Sequence, residues 1–249
     1  MSGIRSEIDP ITASTSFVAG KYPLASAAFV GGSILTEHRN ATSDLDIVVI
    51  GVDDAPYRET LVDFGFTIEV FAHTIESLRE YWQRDAARRA THLARMVGEG
   101  AVLISVDQLA EQPQDEARSL LAAGPAPLDQ EEMLLLRYGL TDLLDDFVGS
   151  VRESEVAYLA ASLLLATSER YLAFTGRWLA GGKALDRALR VADAAFADRL
   201  KAAHHAAIID GDKEPLIAVT TEVLSLAGGP LLAGYRQSGH SKVQQATNE

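Results

Sequence analysis

The 249-residue chain contains no cysteine. That excludes disulfides, a thiol nucleophile and zinc–thiolate centres, and it fits an expected cytoplasmic location. Positive charge is scarce: 22 Lys and Arg face 35 Asp and Glu, for a formal net charge of −13. A surface this acidic repels a phosphate backbone, so general nucleic-acid binding is not expected. A small partner, above all a cationic one, fits better. A nucleoside triphosphate still fits where metal ions and local Lys or Arg offset the charge. Long apolar runs are missing too: nothing approaches the roughly 18 residues of a membrane span. The opening MSGIRSEIDP has no apolar core of a secretory signal. Internal repeats and low-complexity segments are likewise absent. The remainder is ordinary globular composition, 47% hydrophobic and 23% charged. At roughly 100–200 residues per domain, it makes one large domain or two modest ones.

The first hundred or so residues alternate short apolar runs with Gly and Pro. Runs at 27–30, 47–50, 67–72 and 101–105 are β-rich, bounded by Gly or Asp, and read as strands. Residues 57–63 fit a strand or a short helix. Thr74 is a good N-cap for a helix ending near Gly98, with Leu78, Tyr81 and Trp82 on one face. Gly124-Pro125-Ala126-Pro127 reads as a linker. After it the pattern turns helical. Asp129 caps a helix to about 148, where Met133, Leu136, Leu140, Leu143, Leu144 and Phe147 form one apolar arc. Further helices are predicted over 154–174, 185–209 and 214–226, punctuated by glycines. The expected architecture is therefore an α/β (α+β) domain over 1–123 and an all-helical bundle domain over 128–237. A polar tail over 238–249 is expected to be disordered.

The chemistry concentrates in Phe29-Val30-Gly31-Gly32-Ser33, followed after ten residues by Asp44-Leu45-Asp46-Ile47-Val48-Val49. Alternate strand residues share a face, so Asp44 and Asp46 project together while Leu45 and Ile47 enter a core. Two carboxylates on one face repel unless a positive charge sits between them. Mg²⁺ suits such a pair, because it takes oxygen ligands and commonly uses one or two carboxylates plus substrate phosphates. Glycines let backbone approach a phosphate, and Ser33 adds a hydroxyl and backbone N–H groups. Glu69 stands inside the apolar run Phe66-Thr67-Ile68-Glu69-Val70-Phe71. Burying such a charge is costly without a partner or a metal. Three carboxylates on adjacent strands can hold two metal ions about 3.5–4 Å apart. Taken singly, an Asp-x-Asp is commonly a turn, a glycine pair a bend and a strand Glu a solvated side chain. Their order and strand context favour a common site.

On these residues the chain resembles the polymerase-beta-like nucleotidyltransferase superfamily. The shared pattern is an apolar strand, Gly-Gly or Gly-Ser, a spacer of roughly ten residues, Asp-x-Asp, and a later strand acid. It covers a quarter to a third of the chain. The broader layout is similar to kanamycin-type aminoglycoside nucleotidyltransferases and to uncharacterised bacterial nucleotidyltransferase-domain proteins, in which a helical domain follows the catalytic one. The resemblance implies that Asp44, Asp46 and Glu69 bind two Mg²⁺ ions. It implies that Gly32 and Ser33 hold the triphosphate of ATP or another nucleotide, in a domain with a twisted mixed sheet. A nucleoside monophosphate then passes to a small-molecule acceptor. In the kanamycin-type enzymes the general base is an acid on the first helix of the second domain. The matching stretch here offers Asp142, with Asp146 one turn on; both are Asp where the family example has Glu, and a solvated acidic face is the simpler reading. Lys183, after Gly181-Gly182, matches a helical-domain lysine that reaches triphosphate. Some relatives close their cleft as homodimers.

Other residues draw blander readings. Arg88 and Arg89 can meet phosphate but are commonly solvated on a helix. His204 and His205 are adjacent and so face apart on a helix. His73 follows the Glu69 strand and reads as structural. Trp178 and Tyr235 can stack on a base, though packing is their usual role. Two other functions compete with small-molecule transfer: an antitoxin-like enzyme that adenylylates a protein, and a catalytically silent nucleotide-binding protein.

Overall fold

The computed structural model describes residues 8–37, 39–40, 42–52 and 55–236. The tail expected to be disordered, 238–249, lies outside them. The described residues form two units. The first runs to Ala126 and takes in Trp178–Ala180; the second holds the remainder.

The first unit is built on a five-stranded mixed sheet. Its strands are β1 (Ala27–Gly31), β2 (Leu45–Ile50), β3 (Tyr57–Asp63), β4 (Phe66–His73) and β5 (Ala101–Ser105). They are ordered β3-β4-β2-β1-β5. Only β2 and β4 run parallel; β1–β2, β1–β5 and β3–β4 are antiparallel. The stretch 57–63, open between helix and strand in the sequence, is thus an edge strand. It joins β4 through Phe64-Gly65, both with positive φ. That is the signature of a two-residue turn whose twist matches a hairpin, and it pairs Asp63 with Phe66.

Both faces of the sheet are covered. Ala28, Val30, Leu45, Ile47, Val49, Ile68 and Val70 pack with Ala13, Phe17 and Val18 of helix α1 (Pro10–Lys21). Sequence periodicity does not reveal α1, because Thr and Ser interrupt its apolar positions. Its start is well marked: Asp9 accepts the Thr12 N–H at 3.1 Å and Pro10 fills the first turn. On the opposite face Ala27, Phe29, Val48 and Ile50 pack with Leu78 and Trp82 of α2 (Ile75–Ala87) and with Leu93, Ala94, Met96 and Val97 of α3 (His92–Gly98). Helix α4 (Glu111–Ala123) adds Ala117 to this layer.

The single helix expected over 74–98 is in fact α2 and α3. Thr74 does cap its start, in a reciprocal box with Ser77. The helix then stops because Arg89 adopts φ 59, which a right-handed helix of L-residues does not tolerate. Arg89 is buried, and its Nη1 donates to the Ala126 carbonyl at 2.7 Å. Its role is tertiary, not that of a solvated helix arginine.

The described residues of the second unit contain helices and no strand: α5 (Gln130–Gly149), α6 (Glu153–Phe174), α7 (Lys183–Ala192), α8 (Ala194–His205), continued by a π-helical turn over Ala206–Asp210, and α9 (Glu214–Ser225). Asp129 and Glu132 form the capping box of α5. Leu140, Phe147, Leu163, Leu172, Phe196, Leu200, Leu216 and Val223 are buried. Lys213 closes the end of α5 by donating to the Phe147 and Ser150 carbonyls, each at 2.6 Å. The helix expected over 185–209 is divided at Asp193, whose extended backbone ends α7. Its carboxylate then caps α8, accepting from Phe196 N–H at 2.9 Å. No described helix is long and apolar enough to cross a membrane.

Candidate functional site

The site begins where β1 ends. Gly31 and Gly32 are adjacent, yet they are glycines for different reasons. A Cβ on Gly31 would stand 2.7 Å from the Met96 Cα, so this glycine lets α3 lie against the sheet. Gly32 has φ 80 and ψ −168, a region essentially reserved for glycine. A Cβ there would overlap Asp46 Oδ2 and sit 3.2 Å from its Cγ. The Asp46 carboxylate therefore lies directly against the Gly32 backbone. Ser33 opens a single 3₁₀ turn (Ser33–Leu35). Its hydroxyl meets Ser43 Oγ at 3.3 Å, and Ser43 Oγ also accepts the Asn40 N–H at 3.0 Å. The returning loop is thereby fastened immediately before Asp44.

Strand register assembles the acids. Gly31 pairs with Asp46 across β1–β2, and Asp46 pairs with Glu69 across the parallel β2–β4 ladder. Neighbouring strands lie about 4.8 Å apart, so Asp46 and Glu69 occupy one face within reach of each other. Asp44, just before β2, is half-buried like both of them. The Asp46 carboxyl is held above the usual carboxylate range chiefly by burial. The nearby His92 pulls the other way, Glu69 and Asp44 push further up, and Arg58 partly offsets them. Burial sets the direction of the shift, and the neighbouring acids and cations act on it from both sides.

Arg58 and His92 are the two members that sequence reasoning misses. Arg58 stands opposite Phe71 in the β3–β4 ladder. Its guanidinium lies over the Phe71 ring at 4.9 Å, and its Nη2 donates to Glu69 Oε2 at 2.6 Å. His92, the first residue of α3, presents its ring edge-on to Phe71 at 6.1 Å. Phe71 is thus flanked by Arg58 and His92. The Arg58–Glu69 pair has side-chain exposures of 58% and 24%. At such exposure an ion pair contributes only about 0.2–1 kcal/mol, so its partners exchange readily. The signal for Arg58 was present in the sequence: the Phe64-Gly65 turn fixes a register that puts Arg58 beside Phe71 and diagonal to Glu69.

Gly32, Ser33, Asp44, Asp46 and Glu69 therefore come together in the first unit. Asp142 and Lys183 belong to the second unit. Asp142 is exposed on α5, on the side away from the buried Leu140, Leu144 and Phe147, and Lys183 is exposed at the start of α7. Arg88 is exposed at the end of α2. His73 is buried, with Nδ1 3.1 Å from Ser77 Oγ. Trp178 donates its Nε1–H to the Leu121 carbonyl at 3.0 Å, and Tyr235 stacks on Tyr138 at 4.1 Å. Each aromatic candidate for base stacking thus has a partner within its own unit.

Among the described residues no group of three or more His, Cys, Asp or Glu side chains is disposed as a ready-made metal cage. Glu69 is turned to Arg58. The other two acids, Asp44 and Asp46, are near neighbours, with the Asp46 carboxylate against the Gly32 backbone, and together they could hold one cation. All the donors are hard oxygens. That suits Mg²⁺, which usually takes one or two carboxylates and completes its shell with water and substrate phosphate.

No family model and no curated protein matches this chain. Among solved structures, a nucleotidyltransferase-like protein from Exiguobacterium sibiricum is similar at 11% identity and a TM-score of 0.43, covering 88% of this chain and 76% of that one. At that distance Gly32, Asp46 and their neighbours have to carry any functional reading by themselves.

Proposed function

We propose that this chain is a Mg²⁺-dependent nucleotidyltransferase. It moves a nucleoside monophosphate, AMP in the first instance, from a nucleoside triphosphate to a hydroxyl of a small molecule. The observation that carries this reading is the Gly32–Asp46 contact. A glycine in a conformation closed to other residues leaves room for one carboxylate, and that carboxylate shares its face with Glu69 and has Asp44 nearby. A purely structural Asp has no need of such clearance or of such neighbours, which make it harder to ionise.

A divalent cation held by Asp44 and Asp46 would neutralise triphosphate charge and acidify an attacking hydroxyl. The protein's own part is to position the reactants. The Gly31–Ser33 turn lets backbone approach the triphosphate, and the Ser33 hydroxyl can turn from Ser43 to a phosphate oxygen. Glu69 is the third acid of the set, available once Arg58 lets it go. Attack of the acceptor oxygen on the α-phosphorus forms the new P–O bond. The bond to the β-phosphate oxygen breaks, and pyrophosphate leaves. Asp142 is the proposed base for the acceptor proton and Lys183 a proposed triphosphate contact. The net charge of −13 favours a polycationic acceptor such as an aminoglycoside-like molecule.

The test is pyrophosphate release from each nucleoside triphosphate with Mg²⁺, across a panel of aminoglycosides, lincosamides and candidate proteins. An Asp44→Ala, Asp46→Ala protein is the control. Release that requires one acceptor and disappears in the control supports transfer and names the acceptor class. Absence of both release and Mg²⁺-dependent nucleotide binding overturns it. Binding without release across the panel favours a silent nucleotide-binding protein.

A further inference from the structure

The Arg58–Glu69 pair is a contradiction within an acidic metal site, because it commits one of the three carboxylates to an arginine. Three features make this arginine more than a surface ion-pair partner. It is fixed by register, since the Phe64-Gly65 turn aligns β3 so that Arg58 faces Phe71. It is oriented by stacking, because the guanidinium lies on the Phe71 ring at 4.9 Å. A ring under the guanidinium restrains an arginine while leaving its charge in place. It is also within electrostatic reach of Asp46 as well as Glu69. Yet the side chain is more than half exposed, so a ligand can reach it.

We propose that Arg58 is a resident countercharge: it occupies Glu69 in the nucleotide-free protein and passes to the triphosphate when nucleotide binds, releasing Glu69 to the site. This deepens the nucleotidyltransferase reading and rests on it. The exchange is isoelectric for the arginine, since one oxyanion replaces another and a planar fork pairs with phosphate as well as with carboxylate. Its consequence is ordering. Without nucleotide, the third acid is masked and a bare divalent cation meets only Asp44 and Asp46. With nucleotide, the acids and the phosphates become available together. Phe71 serves as the pivot, since the guanidinium can turn toward ligand without leaving the ring.

Two calorimetric titrations on the full chain test this, with opposite signs expected. Arg58→Ala removes the competitor for Glu69, so Mg²⁺ alone should bind about fivefold tighter, the factor that a half-exposed ion pair represents. The same variant loses the triphosphate contact, so ATP with Mg²⁺ should bind about tenfold more weakly. Arg58→Lys keeps the charge but not the fork or the stacking, and should recover less than half of the lost ATP affinity. Thermal melts of both variants check folding, and the Lys variant carries the test if the Ala variant unfolds. If both affinities move in the same direction, or if Lys restores both fully, the exchange is wrong while the metal site stands. If wild-type protein binds neither Mg²⁺ nor Mg²⁺–ATP, or if Asp46→Ala binds them as well as wild type, the underlying reading fails and this one falls with it.

Discussion

Replacing Gly32 by alanine separates a site from a scaffold, because its two consequences come from different physics. At φ 80 and ψ −168 an alanine carries a backbone strain of about 1–3 kcal/mol. Gly32 is exposed and lies just beyond β1, so no buried packing is lost and the fold should survive. In a domain of this size the strain lowers Tm by roughly 3–9 °C. The second consequence is local. The new Cβ overlaps Asp46 Oδ2 and stands 3.2 Å from Cγ, so the carboxylate must move by about 1 Å to regain ordinary contact. A displacement of that size at reacting groups costs about 10²-fold in rate. Gly31→Ala is the matched control. Its Cβ meets the Met96 backbone at 2.7 Å, so it prises α3 from the sheet and acts first on stability, by about 1–3 kcal/mol. The assay pairs thermal melts with Mg²⁺-dependent nucleotide binding and pyrophosphate release. Gly32→Ala should remain folded and lose at least tenfold in nucleotide binding. A folded Gly32→Ala protein with wild-type binding and turnover would refute the claim that the glycine exists to seat Asp46.

Three further outcomes are expected. Lys213→Ala removes a charged donor from the Phe147 and Ser150 carbonyls and should destabilise the second unit by about 1.5–3 kcal/mol, read by urea unfolding; a loss under 0.5 kcal/mol contradicts the capping role. Asp129→Ala should cost about 0.5–2 kcal/mol by dismantling the capping box of α5, and Asp129→Asn should recover most of it in the same assay. Burial pushes the His73 imidazole below its ordinary pKa of about 6.5. The unfolded chain therefore takes up the proton first, and this contribution to stability is present above about pH 6.5 and falls as pH drops from there toward the folded value; an NMR titration placing His73 at or above 6.5 would contradict it.

What was legible in the sequence follows from the range of the forces involved. Strands bounded by glycine and helices opened by Thr74 or Asp129 are local statements, and the structure contains β1, β2, β4, β5, α5, α6 and α9 close to the expected limits. Where one residue's backbone overrides a continuing helical pattern, the apolar spacing predicts a longer helix than the chain forms. Arg89 at φ 59 and the extended Asp193 each split a helix whose apolar spacing gives no warning. In both cases the interruption is fastened by a partner remote in sequence: Arg89 Nη1 on the Ala126 carbonyl, and the Tyr171 hydroxyl on Asp193 at 3.0 Å. Helix α1 escaped for the opposite reason. It buries only a few residues on one sheet face, so no strong stripe is required of it.

The site divides along the same line. Asp46 and Glu69 are conspicuous because acids within apolar strands violate a local rule, Asp44 because it stands two residues before Asp46, and Gly32 because glycine marks a backbone constraint. Arg58 breaks no local rule, since an arginine on an alternating edge strand is ordinary. Its meaning arises only from a pairing register, and that register depends on two positive-φ residues, Phe64 and Gly65. A one-residue slip in this hairpin would turn Arg58 to the opposite face, away from Glu69. The countercharge of the acidic cluster is thus set by a turn at the far end of the hairpin. Lengthening that turn by a single residue should therefore abolish Arg58's effects on ligand affinity while leaving Gly32, Asp44 and Asp46 where they are.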